Sequence, residues 1–212
     1  MRPPSSLFEP QAQCLELVEG FFLLPAFVDD TASLLAQIEL IAAQAAFRHM
    51  QVGGGKRMSV AMTNCGPWGW TSSSSGYQYS HTDPLTQQPW PAMPDRFMAL
   101  AQTAAAAAGF EHFQPDACLV NRYASGAALG VHQDRDEQDL GQPIVSVSIG
   151  AAATFQVGGL KRSEPLRSLP LHDGDVLVWG GPSRLRFHGV KALKPTAGEP
   201  ATRHNLTFRK AE

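Results

Sequence analysis

Apolar and polar positions alternate along this chain in two regimes. After Asp30, the residues Leu34, Leu35, Ile38 and Ile41 recur at three- and four-residue intervals, which predicts an amphipathic helix that starts at a capping aspartate and ends near Phe47. A second helix is predicted from Pro94, with Phe97, Leu100, Ala101, Ala104 and Ala108 on one face and Gly109 where a helix ordinarily stops. Beyond residue 115 the texture changes to short β-rich runs separated by Gly, Pro and Asp: Ala117–Tyr123, Leu129–Asp134, Ile144–Ile149, Thr154–Val157, Asp175–Trp179, Arg184–Val190 and Arg203–Arg209. Strands at that spacing predict a sandwich or barrel instead of an alternating α/β sheet. Between the helices, residues 48 to 93 hold Gly53–Gly55, Ser72–Ser75 and the rings of Trp68, Trp70, Tyr77 and Tyr79. That mixture predicts mobile hairpins whose rings either face a ligand or pack on the helices.

Composition narrows the classes. A length of 212 residues suits one domain, and 43% hydrophobic with 17% charged residues describes an ordinary folded globule. The formal charge of -2 excludes bulk electrostatic binding of a polyanion, leaving only a local basic patch such as Lys56, Arg57, Lys161 and Arg162. Cys14, Cys65 and Cys118 are odd in number and lack CxxC spacing, so free thiols in a reducing cytoplasm are expected. Met1–Pro10 has no apolar run, and Phe21–Val28 is too short and Pro-interrupted to span a bilayer, so neither export nor a membrane is expected. Nothing in the pattern calls for more than a monomer.

The candidate chemistry begins at His132-Gln133-Asp134. Two residues apart on a strand, an imidazole and a carboxylate point to one face, and one further histidine makes a two-His, one-carboxylate set of the kind that holds non-haem iron(II). A second His-x-Asp pair, His81-Thr82-Asp83, precedes Pro84 and reads as a turn. The third ligand has to come from His49, His112, His172, His188 or His204. His172 sits in a turn and His204 faces away from Arg203 and Asn205, whereas His188 lies in a β-run; spacing alone leaves the choice open. In the last strand, Arg203, Asn205, Thr207 and Arg209 share one face while Leu206 and Phe208 take the other. That polar face is either a solvent face or an inward clamp for a dicarboxylate, to which Asn121 and Tyr123 add donors.

Longer stretches carry more information: Met58–Gly66 (MSVAMTNCG), Gln114–Cys118 (QPDAC), His132–Asp134, Ile144–Ser148 (IVSVS), Gly158–Arg162 (GGLKR) and Val178–Gly181 (VWGG). Through them the chain, from about Phe47 onward, closely resembles the bacterial AlkB family of iron(II)- and 2-oxoglutarate-dependent dealkylases of nucleic acid bases. The resemblance implies a mainly β (α+β) fold, a double-stranded β-helix or jelly roll flanked by helices, with a nucleotide-binding lid. It divides one structural domain into an N-terminal segment and helix (1–47), the lid (48–93) and a helix plus catalytic core (94–212). It implies Fe(2+) on His132, Asp134 and His188, 2-oxoglutarate on Asn121, Arg122, Tyr123, Arg203, Asn205 and Arg209, and O2 as co-oxidant. Substrate contacts are implied at Trp70, Tyr77, Gln78, Tyr79, Asp136 and Arg162. The partner would be alkylated single-stranded or duplex DNA, with RNA as a second option, demethylated at bases such as 1-methyladenine and 3-methylcytosine to release formaldehyde, succinate and CO2. The chain departs from the family pattern around Gln51–Arg57, at Trp68 and at Ser72–Ser75. Rival readings are an oxygenase of the same kind acting on protein or a small molecule, and a non-catalytic jelly-roll binding module, against which the two arginines of the last strand argue.

Overall fold

The protein's structure, a computed structural model, describes residues 13–212 other than 53, 195, 196 and 199, so Met1–Pro10 and Gly53 lie outside the described residues. Two strands open the described chain, β1 (Leu15–Val18) and β2 (Phe21–Leu24), followed by helix α1 (Thr31–Gln44). Then come β3 (Ala61–Cys65), β4 (Gly69–Ser73), β5 (Gly76–Ser80) and helix α2 (Asp95–Ala107). The remaining strands are β6 (Ala117–Tyr123), β7 (Leu129–His132), β8 (Ile144–Gly150), β9 (Ala153–Val157), β10 (Arg167–Leu171), β11 (Val176–Trp179), β12 (His188–Val190) and β13 (Arg203–Arg209). No described helix is long and apolar enough to cross a membrane.

The strands form a jelly roll. A seven-stranded sheet in the order β1-β2-β11-β8-β13-β6-β3 faces a four-stranded sheet in the order β10-β9-β12-β7, and β4-β5 stands apart as a hairpin. The period-2 pattern explains the layering: Val145, Val147 and Ile149 of β8, Val176 and Val178 of β11, and Leu206 and Phe208 of β13 all enter one core with the helices. Their alternates, including Ile144, Leu177 and Trp179, enter a second core between the sheets. Helix α1 contributes Leu34, Ile38 and Ile41 to the first core, and Asp30 caps it by accepting from the Ser33 amide at 3.1 Å. Helix α2 contributes Phe97, Ala101, Ala104 and Ala105; its alanines let it lie close to the sheet, and Gly109, at φ +82°, ends it.

Some expectations shift. The run Leu129–Asp134 forms a strand only as far as His132, and Arg184–Val190 only from His188, because a 3-10 turn at Gly181–Ser183 occupies the approach. Strands β1, β2 and β10 were not expected. Strand β10 is largely exposed and carries Pro170, features that hide a strand from pattern reading. Within residues 48–93, Ala61–Cys65 is fully buried and pairs with β6 as the edge of the large sheet, while Gly69–Ser80 makes the separate hairpin.

Candidate metal and cosubstrate site

Strands β7 and β12 are antiparallel neighbours, and their register sets His188 directly opposite His132, with ring centroids 4.5 Å apart. Asp134 lies two residues past the end of β7, yet its carboxylate sits 3.5 Å from His132 Nε2 and 3.6 Å from His188 Nε2. One donor atom from each of the three falls within 4.8 Å of the others. Each imidazole is oriented from behind: Nδ1–H of His132 donates to the Gly130 carbonyl at 2.8 Å, and that of His188 to the Arg186 carbonyl at 3.0 Å. A carbonyl only accepts, so both Nδ1 atoms carry the proton and both Nε2 lone pairs are turned to the centre. Burial, aided by the neighbouring His132, pulls His188 down to about 4, which keeps it neutral and ligand-competent at pH 7. Burial alone would raise Asp134, but the Arg209 guanidinium beside it wins and holds its carboxyl well below the usual range.

Behind the triad lies a buried charge network. Arg209 donates to Asp134 Oδ2 through Nη2 at 2.7 Å and Nε at 3.2 Å, and its Nε lies 3.3 Å from Glu137 Oε1. Arg184 donates to Glu137 Oε2 at 2.9 Å and to the Asp134 carbonyl at 2.7 Å. Two carboxylates thus face two guanidiniums, which is how buried charges are kept tolerable.

The polar face of β13 turns inward. Register places Asn205 opposite Asn121 and Arg203 opposite Tyr123. Asn121 donates to Asn205 Oδ1 at 3.2 Å, and Asn205 in turn donates to Ser146 Oγ at 2.8 Å. Arg203 is 1% exposed and donates to Ser148 Oγ at 3.0 Å, with its guanidinium 5.1 Å from the Tyr123 ring centre. Among the described residues its Nε and Nη1 have no partner, and no carboxylate pairs with it. A buried cation without a counter-ion is costly, so the site fits an anion, and the donor set of two imidazoles and a carboxylate fits iron. Both features line one cavity of about 590 Å³.

The hairpin guards the mouth of that cavity. Trp70 stacks on Tyr77 with centroids 5.4 Å apart, and its indole N–H donates to Asp136 Oδ2 at 2.9 Å. Arg162 also lines the mouth, 5.0 Å above the Phe187 ring. Tyr79 reaches Glu137 Oε1 at 2.6 Å, behind the triad. Three expected residues stay outside the cavity: Tyr79, Arg122, which is opposite in facing to Asn121 and Tyr123 and lies over the Phe47 ring at 4.2 Å, and Gln78, exposed on the far face of the hairpin. The second His-x-Asp pair is dispersed, with His81 against Trp68 and Asp83 paired to Arg48. His172 is an exposed turn residue beside Asp175. Sequence reasoning missed Glu137, Arg184 and Trp179. Trp179 presents its edge to His188 at 5.1 Å, and its signals were membership of a β-run and of the Val178–Gly181 stretch, neither of which marked it as a site residue. Glu137 and Arg184 carried no periodic signal because they stand on irregular segments.

A jelly roll with a His-Asp-His triad and an unpaired arginine beside it defines a non-haem iron oxygenase that uses an anionic cosubstrate. A family model for the 2OG-Fe(II) oxygenase superfamily matches residues 20–209, and the chain belongs to that superfamily of iron(II)- and 2-oxoglutarate-dependent dioxygenases. Within it, the chain is 56% identical over 200 residues to the alpha-ketoglutarate-dependent dioxygenase AlkB of Escherichia coli, covering 92% of each. It is also 44% identical over 108 residues to the DNA N(6)-methyladenine demethylase ALKBH1D of Arabidopsis thaliana, covering 45% of this chain and 24% of that one. The solved structure of OsALKBH1 superposes with a TM-score of 0.81 at 31% identity, covering 93% of this chain and 100% of the other.

Proposed function

We propose that this dioxygenase repairs alkylated DNA, and RNA where it is accessible, by oxidative demethylation of bases. The observation that carries the proposal is a single cavity with the His132-Asp134-His188 triad and the unpaired Arg203 at its floor, and Trp70, Tyr77 and Asp136 at its mouth. The AlkB and ALKBH1 likenesses support the same substrate class. In this reading His132, Asp134 and His188 hold iron(II), and Arg203, Asn121, Tyr123, Asn205 and Arg209 hold 2-oxoglutarate. So loaded, the site supplies oxidation of a C–H bond by dioxygen at the expense of 2-oxoglutarate, which leaves as succinate and carbon dioxide.

The chain's own part is to bind, orient and exclude water. A base inside a duplex cannot reach the triad, so the target must be flipped out or already single-stranded. Trp70 offers a stacking face, which attracts a cationic methylated base most strongly. Asp136 accepts from the exocyclic amine of such a base, while Lys161 and Arg162 meet phosphates. A nucleic acid substrate and three free cysteines suit a reducing cytoplasm. The test is formaldehyde release from single-stranded oligonucleotides carrying 3-methylcytosine against N-methylated lysine peptides, each with iron(II), 2-oxoglutarate and oxygen. Release from the oligonucleotide alone is expected; release from the peptide alone would move this chain to the protein-oxygenase reading.

A further inference from the structure

Asp134 is not held in place by a sheet. Strand β7 ends at His132, and residues 133 to 136 have no regular structure, so the direction of the Asp134 carboxylate depends on side chains packed around it. Arg184 holds its carbonyl and Arg209 holds its Oδ2, and both guanidiniums also bind Glu137: Arg184 on Oε2 at 2.9 Å, Arg209 beside Oε1 at 3.3 Å. Glu137 is 6% exposed and therefore has no water to turn to. The remaining donor on Oε1 comes from the hairpin, the Tyr79 hydroxyl at 2.6 Å. Tyr79 stands in register with Trp70, whose indole holds Asp136, so one cross-strand pair of the hairpin grips two consecutive carboxylates.

We infer that Glu137 is a positioning residue, and that Tyr79–Glu137–Arg209–Asp134 is a relay coupling the seating of the β4-β5 hairpin to the metal carboxylate. The inference rests on the reading of His132, Asp134 and His188 as the metal ligands. Burial, the leading influence, pushes the Tyr79 phenol well above its ordinary range, so it remains a donor throughout the working pH. When the hairpin lifts, Glu137 Oε1 loses a neutral donor and competes harder for Arg209, loosening the guanidinium from Asp134 Oδ2. When the hairpin seats, Arg209 is shared as the structure shows. Coupling of this kind is reciprocal, so filling the metal site must in turn hold the hairpin down.

The experiment uses the full chain with Mn(II), which does not turn over, plus 2-oxoglutarate, and reads amide hydrogen exchange in residues 69–80. Metal and cosubstrate together should slow exchange there roughly fivefold or more in the unaltered protein. In Tyr79→Phe that slowing should disappear, with exchange in β8 and β13 unchanged. Mn(II) should also bind about three- to tenfold more weakly. Glu137→Gln keeps an acceptor for Tyr79 and should retain part of the slowing, whereas Glu137→Leu should retain none. If the Glu137 variants fail to fold, Tyr79→Phe decides, because it removes one hydroxyl from a half-buried ring. Equal slowing in Tyr79→Phe and the unaltered chain overturns the relay. Undiminished Mn(II) binding by His188→Ala overturns the metal reading itself, and the relay with it.

Discussion

At the scale of single residues, two arginines that look equivalent in the sequence have different partners in the fold. Arg203 and Arg209 stand on one face of β13, but Arg209 already has Asp134 and Glu137, while Arg203 has no carboxylate among the described residues. Hence Arg203→Met should weaken 2-oxoglutarate binding roughly ten- to a hundredfold, the value of hydrogen bonds to a charged group. It should leave the thermal midpoint of the cosubstrate-free protein unchanged or raised, since it removes an unpaired buried cation. Calorimetric titration and thermal unfolding check the two halves; a large loss of stability would make Arg203 structural. Buried histidines supply a pH dependence. His204, drawn down to about 4 by burial and then by Arg122, stays neutral in the folded chain where the unfolded chain, titrating near 6.5, takes up a proton. The unfolded state therefore binds more protons between those values, and folding stability present above pH 6.5 declines as pH falls toward 4. His188, drawn down to about 4 as well, adds to the decline in the metal-free protein. Urea unfolding at stepped pH should show a shallower decline for His204→Gln; an identical slope would contradict the assignment.

At the scale of elements, most of the core was legible because its strands obey a period of two and its helices bury the expected faces, except that Leu35, expected inside, is exposed at the rim of that face. The polar face of β13 was legible for the same reason. What was hidden lay where regular structure stops. Asp134 reaches the histidines from a segment beyond β7, and Arg184, expected on a strand, follows a 3-10 turn. Glu137 stood beside Asp136 with nothing to distinguish it. Arg209 binds Asp134 and Glu137, and among the described residues Asp136 accepts from the Trp70 indole alone. With no guanidinium of β13 on it, Asp136 is free for the base, and Asp136→Asn should cost roughly ten- to a hundredfold in kcat/KM on cationic 3-methylcytosine and much less on neutral 3-methylthymine. Equal losses on both would show that Asp136 does not distinguish the charge of the base.

At the scale of the whole molecule, two sheets give the site its shape. The large sheet supplies the inward polar face of β6 and β13, the small sheet supplies both histidines through β7 and β12, and the hairpin lines the space between. Removing any triad member should abolish turnover without unfolding the jelly roll, whereas His81→Ala and His172→Ala should be nearly silent, because neither lines the cavity. Far-UV circular dichroism with succinate assays separates loss of fold from loss of metal. If metal, cosubstrate and alkylated base meet in this one cavity, their products form in fixed ratio, so stoichiometry decides. Single-stranded oligonucleotide bearing 3-methylcytosine is incubated with iron(II), limiting 2-oxoglutarate and oxygen, and succinate, formaldehyde and restored cytosine are counted together. The three should appear in equal amounts with the unaltered chain, and none should appear with Asp134→Ala. Succinate formed without formaldehyde or restored cytosine, at a rate the oligonucleotide does not change, would contradict that shared cavity.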